Sequence, residues 1–154
     1  MAVQNFKLVS EFQTIQRRPF ELNDPTILNP TAGNPLLDGE FLELNSSYKM
    51  LRGTVNPAAV PSFAYFAERG RYEVQAIQKG PFLFLGPYEA DTLIFDGTGI
   101  TTVGQKLEVN DVTIGALTRR GLKIFTSGVV VGYVTRLPAN NKNFLRFIHC
   151  GSGV

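Results

Sequence analysis

Apolar residues along this chain recur with a period of two more often than with a period near 3.6, and Gly or Asn closes each run after a few residues. A period of two sends alternate side chains to opposite faces of a strand. The run "QKLEVND" over 105–111 is the clearest case, with Leu107 and Val109 on an inner face and Lys106 and Glu108 directed outward. The run "RYEVQAI" over 71–77 likewise sets Tyr72, Val74 and Ala76 against Arg71, Glu73 and Gln75. The series continues with "GEFLELN", "SSYKMLRG", "DTLIFDGTG", "VTIGALT", "GLKIFTSG" and "NFLRFI". Gly115, Gly121, Gly128 and Gly132 interrupt the later runs and argue against a long helix there. Residues 62–69 suit a short helix capped by Ser62 and stopped by Gly70, or equally a strand carrying Phe63, Tyr65 and Phe66. Roughly ten short strands at close spacing predict an all-β domain, a compact β-barrel or β-sandwich.

Two runs break the alternation. "PFLFLG" over 81–86 is apolar on both faces, through Phe82 and Phe84 on one side and Leu83 and Leu85 on the other. In "VVVGYVTRL", Val130 and Val134 fall on one face and Val129, Val131 and Tyr133 on the other. A strand with one wet face alternates, so a second apolar face needs a cover. Either the domain's own loops supply it, or another molecule does.

The first 37 residues differ from the rest. Pro19, Pro25, Pro30 and Pro35 recur there among Asn23, Asp24, Asn29, Gly33 and Asn34. Each proline removes a backbone donor and holds its predecessor extended. The expectation is an extended N-terminal arm over 1–37, preceding a β domain over 38–154. Phe20, Leu22, Ile27, Leu28, Leu36 and Leu37 stud this arm, and each stands to gain about 1.5–3 kcal/mol if a surface buries it. An arm of this kind stays loose in the free protein and orders on a partner.

Composition adds little in total and more in distribution. The 154 residues are 44% hydrophobic and 18% charged, with a formal net charge of +2, which suits one domain with or without an arm. All thirteen acids lie at or before Asp111, while 112–154 carries Arg119, Arg120, Lys123, Arg136, Lys142 and Arg146. That asymmetry either orients the molecule on a partner or disappears when the fold mixes the two parts over one surface. One cysteine, Cys150, permits neither a disulfide nor a cysteine zinc site within the chain. The start of the chain lacks a signal pattern, and no apolar run reaches the ~18 residues of a membrane span.

A reaction centre is not expected. His149 and Cys150 are adjacent, so on a strand they point to opposite faces and do not form a nucleophile–base pair. Glu89, Asp91 and Asp96 form the densest acidic group, but the calcium-loop spacing is missing and Asp96-Gly97 reads as a turn. The "GTG" at 97–99 lacks the third glycine of a dinucleotide fingerprint. "RRGLKIF" and "NKNFLRF" mix basic and aromatic residues, which keeps a small barrel for single-stranded nucleic acid as an alternative. No catalytic residue, cofactor or metal is assigned.

"ERGRYEVQAIQKGPFLFLGPYEADTLIFD" over 68–96 resembles small structural proteins encoded beside the major capsid gene of tailed bacteriophages. "VVVGYVTRLPANNKNFLRFI" over 129–148 is similar in the same way. The resemblance implies a capsid decoration, or cement, protein: mainly β, trimeric, seated over capsid junctions on the virion surface and made in the host cytoplasm. Its partners would be the major capsid protein and copies of itself. The arm lies outside the resembling segments. The contacts expected on this reading are Phe20, Leu22, Ile27, Leu28, Leu36, Leu37, Phe82, Phe84, Val129, Val131 and Tyr133. A head–tail or tail component is the alternative within the virion.

Overall fold

The computed structural model describes residues 5–10, 16–28, 34, 36–52, 62–66, 73–74, 79–84, 87–139 and 143–150. These described residues are nearly all β, 57% strand and 4% helix, with the sheets curled into a half-barrel and a nearly closed barrel. In chain order the elements are β1 (Phe6–Ser10), β2 (Gln16–Leu22), α1 (Pro25–Leu28), β3 (Leu36–Leu37), β4 (Phe41–Leu44), β5 (Lys49–Leu51) and β6 (Ser62–Ala64). They continue with β7 (Glu73–Val74), β8 (Lys79–Phe84), β9 (Tyr88–Thr92), β10 (Lys106–Ile114), β11 (Leu117–Ile124), β12 (Gly132–Arg136) and β13 (Leu145–His149).

An antiparallel six-stranded sheet has the order β1-β9-β13-β12-β10-β11. A five-stranded sheet has the order β6-β4-β5-β2-β8, with β2 and β5 parallel. A bridge between Tyr65 and Phe82 draws the two ends of this second sheet together. Closure of this kind removes the unpaired edges that an open sheet would expose.

The second sheet serves two cores, and this explains its doubly apolar strands. On β4, Phe41 enters one core and Leu42 the other; on β6, Ala64 and Phe63 divide in the same way; on β8, Leu83 and Phe82 do so. Leu42, Phe63 and Phe82 meet Leu22, Ile27, Leu36, Met50 and Tyr65 inside the small barrel. Phe41, Ala64 and Leu83 face the six-stranded sheet and pack with Phe6, Tyr88, Leu107, Val109, Leu122, Val134 and Phe147. The second face of "PFLFLG" is therefore covered by the chain's own other sheet, as far as Phe82 and Leu83 are concerned. Leu85 lies outside the described residues.

The described part of the stretch over 1–37 is not an arm laid beside a separate domain. β1 forms one end of the six-stranded sheet, and β2 pairs with both β5 and β8. The extended backbone that the prolines impose is used inside the fold: Pro19 lies opposite Pro81 on the neighbouring strand. Two facing prolines donate no hydrogen bonds there, yet the flanking residues keep the register. α1 is a single turn whose start is held by Asp24, which accepts from the Thr26 amide and hydroxyl at 2.9 and 2.6 Å. This seats Ile27 in the small-barrel core at 1% exposure.

Glycines that read as interruptions do two different jobs. Gly115, at φ +63°, turns the β10–β11 hairpin. Gly132 sits within β12, where a Cβ would fall 2.3 Å from the Ile148 carbonyl oxygen on β13. Residues 62–64 form a strand, one of the two structures their sequence suits.

Candidate interaction surface

The positive segment over 112–154 is neutralised by acids from earlier in the chain. Glu40, with a fully buried side chain, accepts from Arg52 Nε at 2.9 Å, Arg52 Nη2 at 3.0 Å and Arg119 Nη1 at 3.4 Å. It also accepts the Leu37 and Arg120 backbone amides at 2.8 and 3.3 Å. Arg120 donates to Glu43 at 3.0 Å and to Asp111 at 3.3 Å. Lys123 pairs with Asp96 at 3.6 Å, and Arg136 and Arg146 both pair with Asp91. The charge asymmetry of the sequence is thus mixed over one fold, and much of it is spent on joining β4 to β11.

Asp91 lies on the outer face of the six-stranded sheet. Register sets Arg136 beside Arg146, Arg146 beside Asp91, and Asp91 beside Lys7. Arg146 grips Asp91 with two bonds of 2.8 and 3.0 Å, while Arg136 adds contacts of 3.2 and 3.3 Å. Burial alone would raise the Asp91 pKa, but the Arg146 hydrogen bonds and the charges of Arg146, Arg136 and Lys7 outweigh it and hold it low. The next row runs Lys106, Tyr133, Ile148 and Glu89, with Glu89 accepting from the Thr135 hydroxyl at 2.8 Å. Tyr133 and Val129 are 37% and 38% exposed, and Val9 on β1 is 38% exposed. The result is an outer face with apolar side chains beside a fixed ionic cluster.

The expected contact residues separate into two groups. Val129 and Tyr133 are at the surface. Leu22, Ile27, Leu36, Leu37, Phe82 and Val131 are buried within the chain. Phe20 and Leu28 are partly buried against the small-barrel core. These eight already have their cover, so their burial supports folding rather than a free contact surface. Val131 joins Val134 in the main core because it lies just before β12, its amide bonded to Leu107 and its carbonyl to Cys150. Strict alternation across Gly132 had put it on the other face. The backbone of Phe84 closes β8, and its side chain is outside what the structure describes.

The other candidates for chemistry resolve into structural roles. His149 is buried and stacked on Tyr88, with ring centroids 4.8 Å apart, and its pKa is pushed by burial down to about 4. Cys150, just past β13, is exposed. Glu89, Asp91 and Asp96 bond to different partners, and among the described residues no three His, Cys, Asp or Glu side chains gather as a metal site. Glu108, expected to point into water, is 1% exposed. It accepts from the Thr126 and Ser127 amides and from Asn110; burial works to raise its pKa, and these bonds prevail and lower it. A carboxylate serving a turn cannot be told from a solvated one by alternation alone.

Among the described residues no helix is long and apolar enough to cross a membrane. Comparison of the chain with models of protein families, with curated proteins and with solved structures gives no match.

Proposed function

We propose that this chain is a structural protein of a tailed-phage head, a decoration protein that binds the outer capsid, contacts copies of itself and stabilises the shell. The segments over 68–96 and 129–148 resemble such proteins. The observation that carries the reading is the outer face of the six-stranded sheet. It presents Tyr133 on the same sheet face as Arg136, Arg146 and Lys7, with Val129 also exposed just before β12. Interaction surfaces combine exposed aromatic and apolar residues with arginine in this manner.

The same pairing weighs against a nucleic-acid barrel. Phosphate recognition relies on cations free to neutralise the backbone. Arg119, Arg120, Lys123, Arg136 and Arg146 each have a carboxylate partner. Phe63, Tyr65 and Phe82 of the small barrel are turned inward and are not offered for base stacking.

Co-sedimentation tests the proposal. The full chain is expected to pellet with heads assembled from the capsid protein of the same genome, and to stay in solution with unassembled capsid subunits. Failure to pellet with heads, together with single-stranded DNA binding that weakens steeply with salt, would favour the nucleic-acid reading instead.

A further inference from the structure

The β4–β5 hairpin carries a residue that its backbone does not favour. Glu43 pairs with Leu51 and Leu44 with Met50, leaving a tight loop over 46–48. The Tyr48 amide donates to the Asn45 carbonyl at 3.0 Å, and the Asn45 amide donates to the Lys49 carbonyl at 2.9 Å. The Asn45 side-chain oxygen accepts from the Ser47 and Lys49 amides at 2.9 and 3.0 Å. Hairpins of this form end in a left-handed residue, and glycine is the usual choice there. Here that residue is Tyr48, at φ +58°. Among the described residues it is the only one other than glycine with a positive φ.

A bulky side chain in that region is strained, and strain persists where something else requires the residue. Packing does not require it: Tyr48 is 77% exposed, the most exposed large hydrophobic residue described. The loop instead holds an aromatic ring out on a tip that Asn45 makes rigid. Asn, Ser and Tyr together are the chemistry of protein-binding loops, where tyrosine gives large contact area at low conformational cost. The tip carries no charge over 45–48, and the adjoining Lys49 is paired with Glu21 at 3.3 Å. An uncharged convex tip suits a concave, apolar spot on a folded protein and offers nothing to a phosphate backbone.

We infer that Tyr48 is an anchor residue, inserted by the β4–β5 hairpin into a hollow on the capsid protein surface. This rests on the decoration reading and adds a second contact element to it. The test compares the full-length protein with Tyr48→Gly and Tyr48→Phe, by thermal melting, by sedimentation of the free chain and by co-sedimentation with assembled heads. Tyr48→Gly relieves the left-handed strain, so it is expected to melt at or above the temperature of the parent while its affinity for heads falls by about tenfold or more. Tyr48→Phe is expected to bind within about twofold of the parent, because ring area supplies most of an anchor's contact. Undiminished head binding by Tyr48→Gly overturns the inference and leaves the decoration reading standing. A fall in melting temperature with Tyr48→Gly makes the residue structural and also overturns it. A change in the association state of the free chain, with head binding intact, moves the contact to a second copy and overturns the capsid partner. If the parent itself fails to bind heads, both the inference and the decoration reading fall.

Discussion

Arg120 on β11 donates to Glu43 on β4 at 3.0 Å, with the two side chains only 2% and 9% exposed. The pair bridges the two sheets at the place where sequence-distant halves of the chain meet. Burial raises the Glu43 pKa, and the charge and hydrogen bond of Arg120 oppose that rise. Removing one member of a buried pair strands the other, at a cost of about 3–5 kcal/mol, whereas replacing both with apolar residues is often neutral. Arg120→Met is therefore expected to lower unfolding stability by about 3–5 kcal/mol in urea titration. Adding Glu43→Leu should recover most of the loss. If the double variant is as unstable as the single one, the pair is not what Arg120 contributes.

His149 makes stability depend on mild acid. The unfolded chain takes up a proton on this residue near pH 6.5, while the folded chain resists it until about 4. Between those values the unfolded state binds more protons, so stability falls as pH falls, by up to ~3 kcal/mol in total. His149→Phe keeps a ring stacked between Tyr88 and Phe41 and cannot titrate. Because Glu43, Asp91 and Glu108 titrate in both proteins, the difference between the two pH profiles isolates His149. Melting curves of the variant should lose slope between pH 6.5 and 4. Identical slopes would mean that His149 is protonated in the fold.

Residues 1–37 are expected to be required for folding. Deleting them removes β1, β2, α1 and β3, and with them Phe6, Leu22, Ile27, Leu36 and Leu37 from the cores. Burial of each such side chain contributes about 1.5–3 kcal/mol, which together is as large as the roughly 5–15 kcal/mol stability of an ordinary domain. The truncated chain should lack a cooperative melt by circular dichroism. A cooperative transition in that chain would show that the strands over 38–154 stand alone.

Val131 and Tyr133 are two residues apart and should respond differently to a charge. Val131 is 9% exposed within the main core, so Val131→Asp buries an unpaired carboxylate and should cost several kcal/mol, on the order of 3 or more. Tyr133 is on the outer face, so Tyr133→Asp should stay within about 1 kcal/mol of the parent and weaken head binding. Urea titration and co-sedimentation read the two effects separately. A folded Val131→Asp, or an unfolded Tyr133→Asp, would reverse the assignment of faces.

Strand positions were legible because side-chain alternation is a local property. β4 and β5 fall within runs of that series, β10 joins two of them, β13 overlaps a third, and β8 and β12 overlap the two runs whose excess apolar residues break the alternation. What the pattern hid is non-local. Phe82 and Leu83 read as one strand face too many, since nothing in "PFLFLG" says that a sheet can divide its two faces between two cores of one chain. Pro19 lies in extended backbone as its sequence suggests, whereas Pro25 begins the single turn of α1, and the ladder with Pro19 facing Pro81 depends on a partner 62 positions away. Of the candidate surface, Tyr133 and Val129 were visible as excess apolar residues. The clasp of Arg136 and Arg146 on Asp91 was not, because it joins separate strands. Tyr48 left a trace in the sequence: an "NSSYK" turn without the glycine that its hairpin calls for.

A reconstruction of the intact particle by electron cryomicroscopy tests the central claim most directly. The account predicts density for this all-β body on the outside of the head, with the sheet face bearing Tyr133 against a neighbouring protein. Heads whose outer surface lacks this chain, or density for it at the tail, would contradict the account.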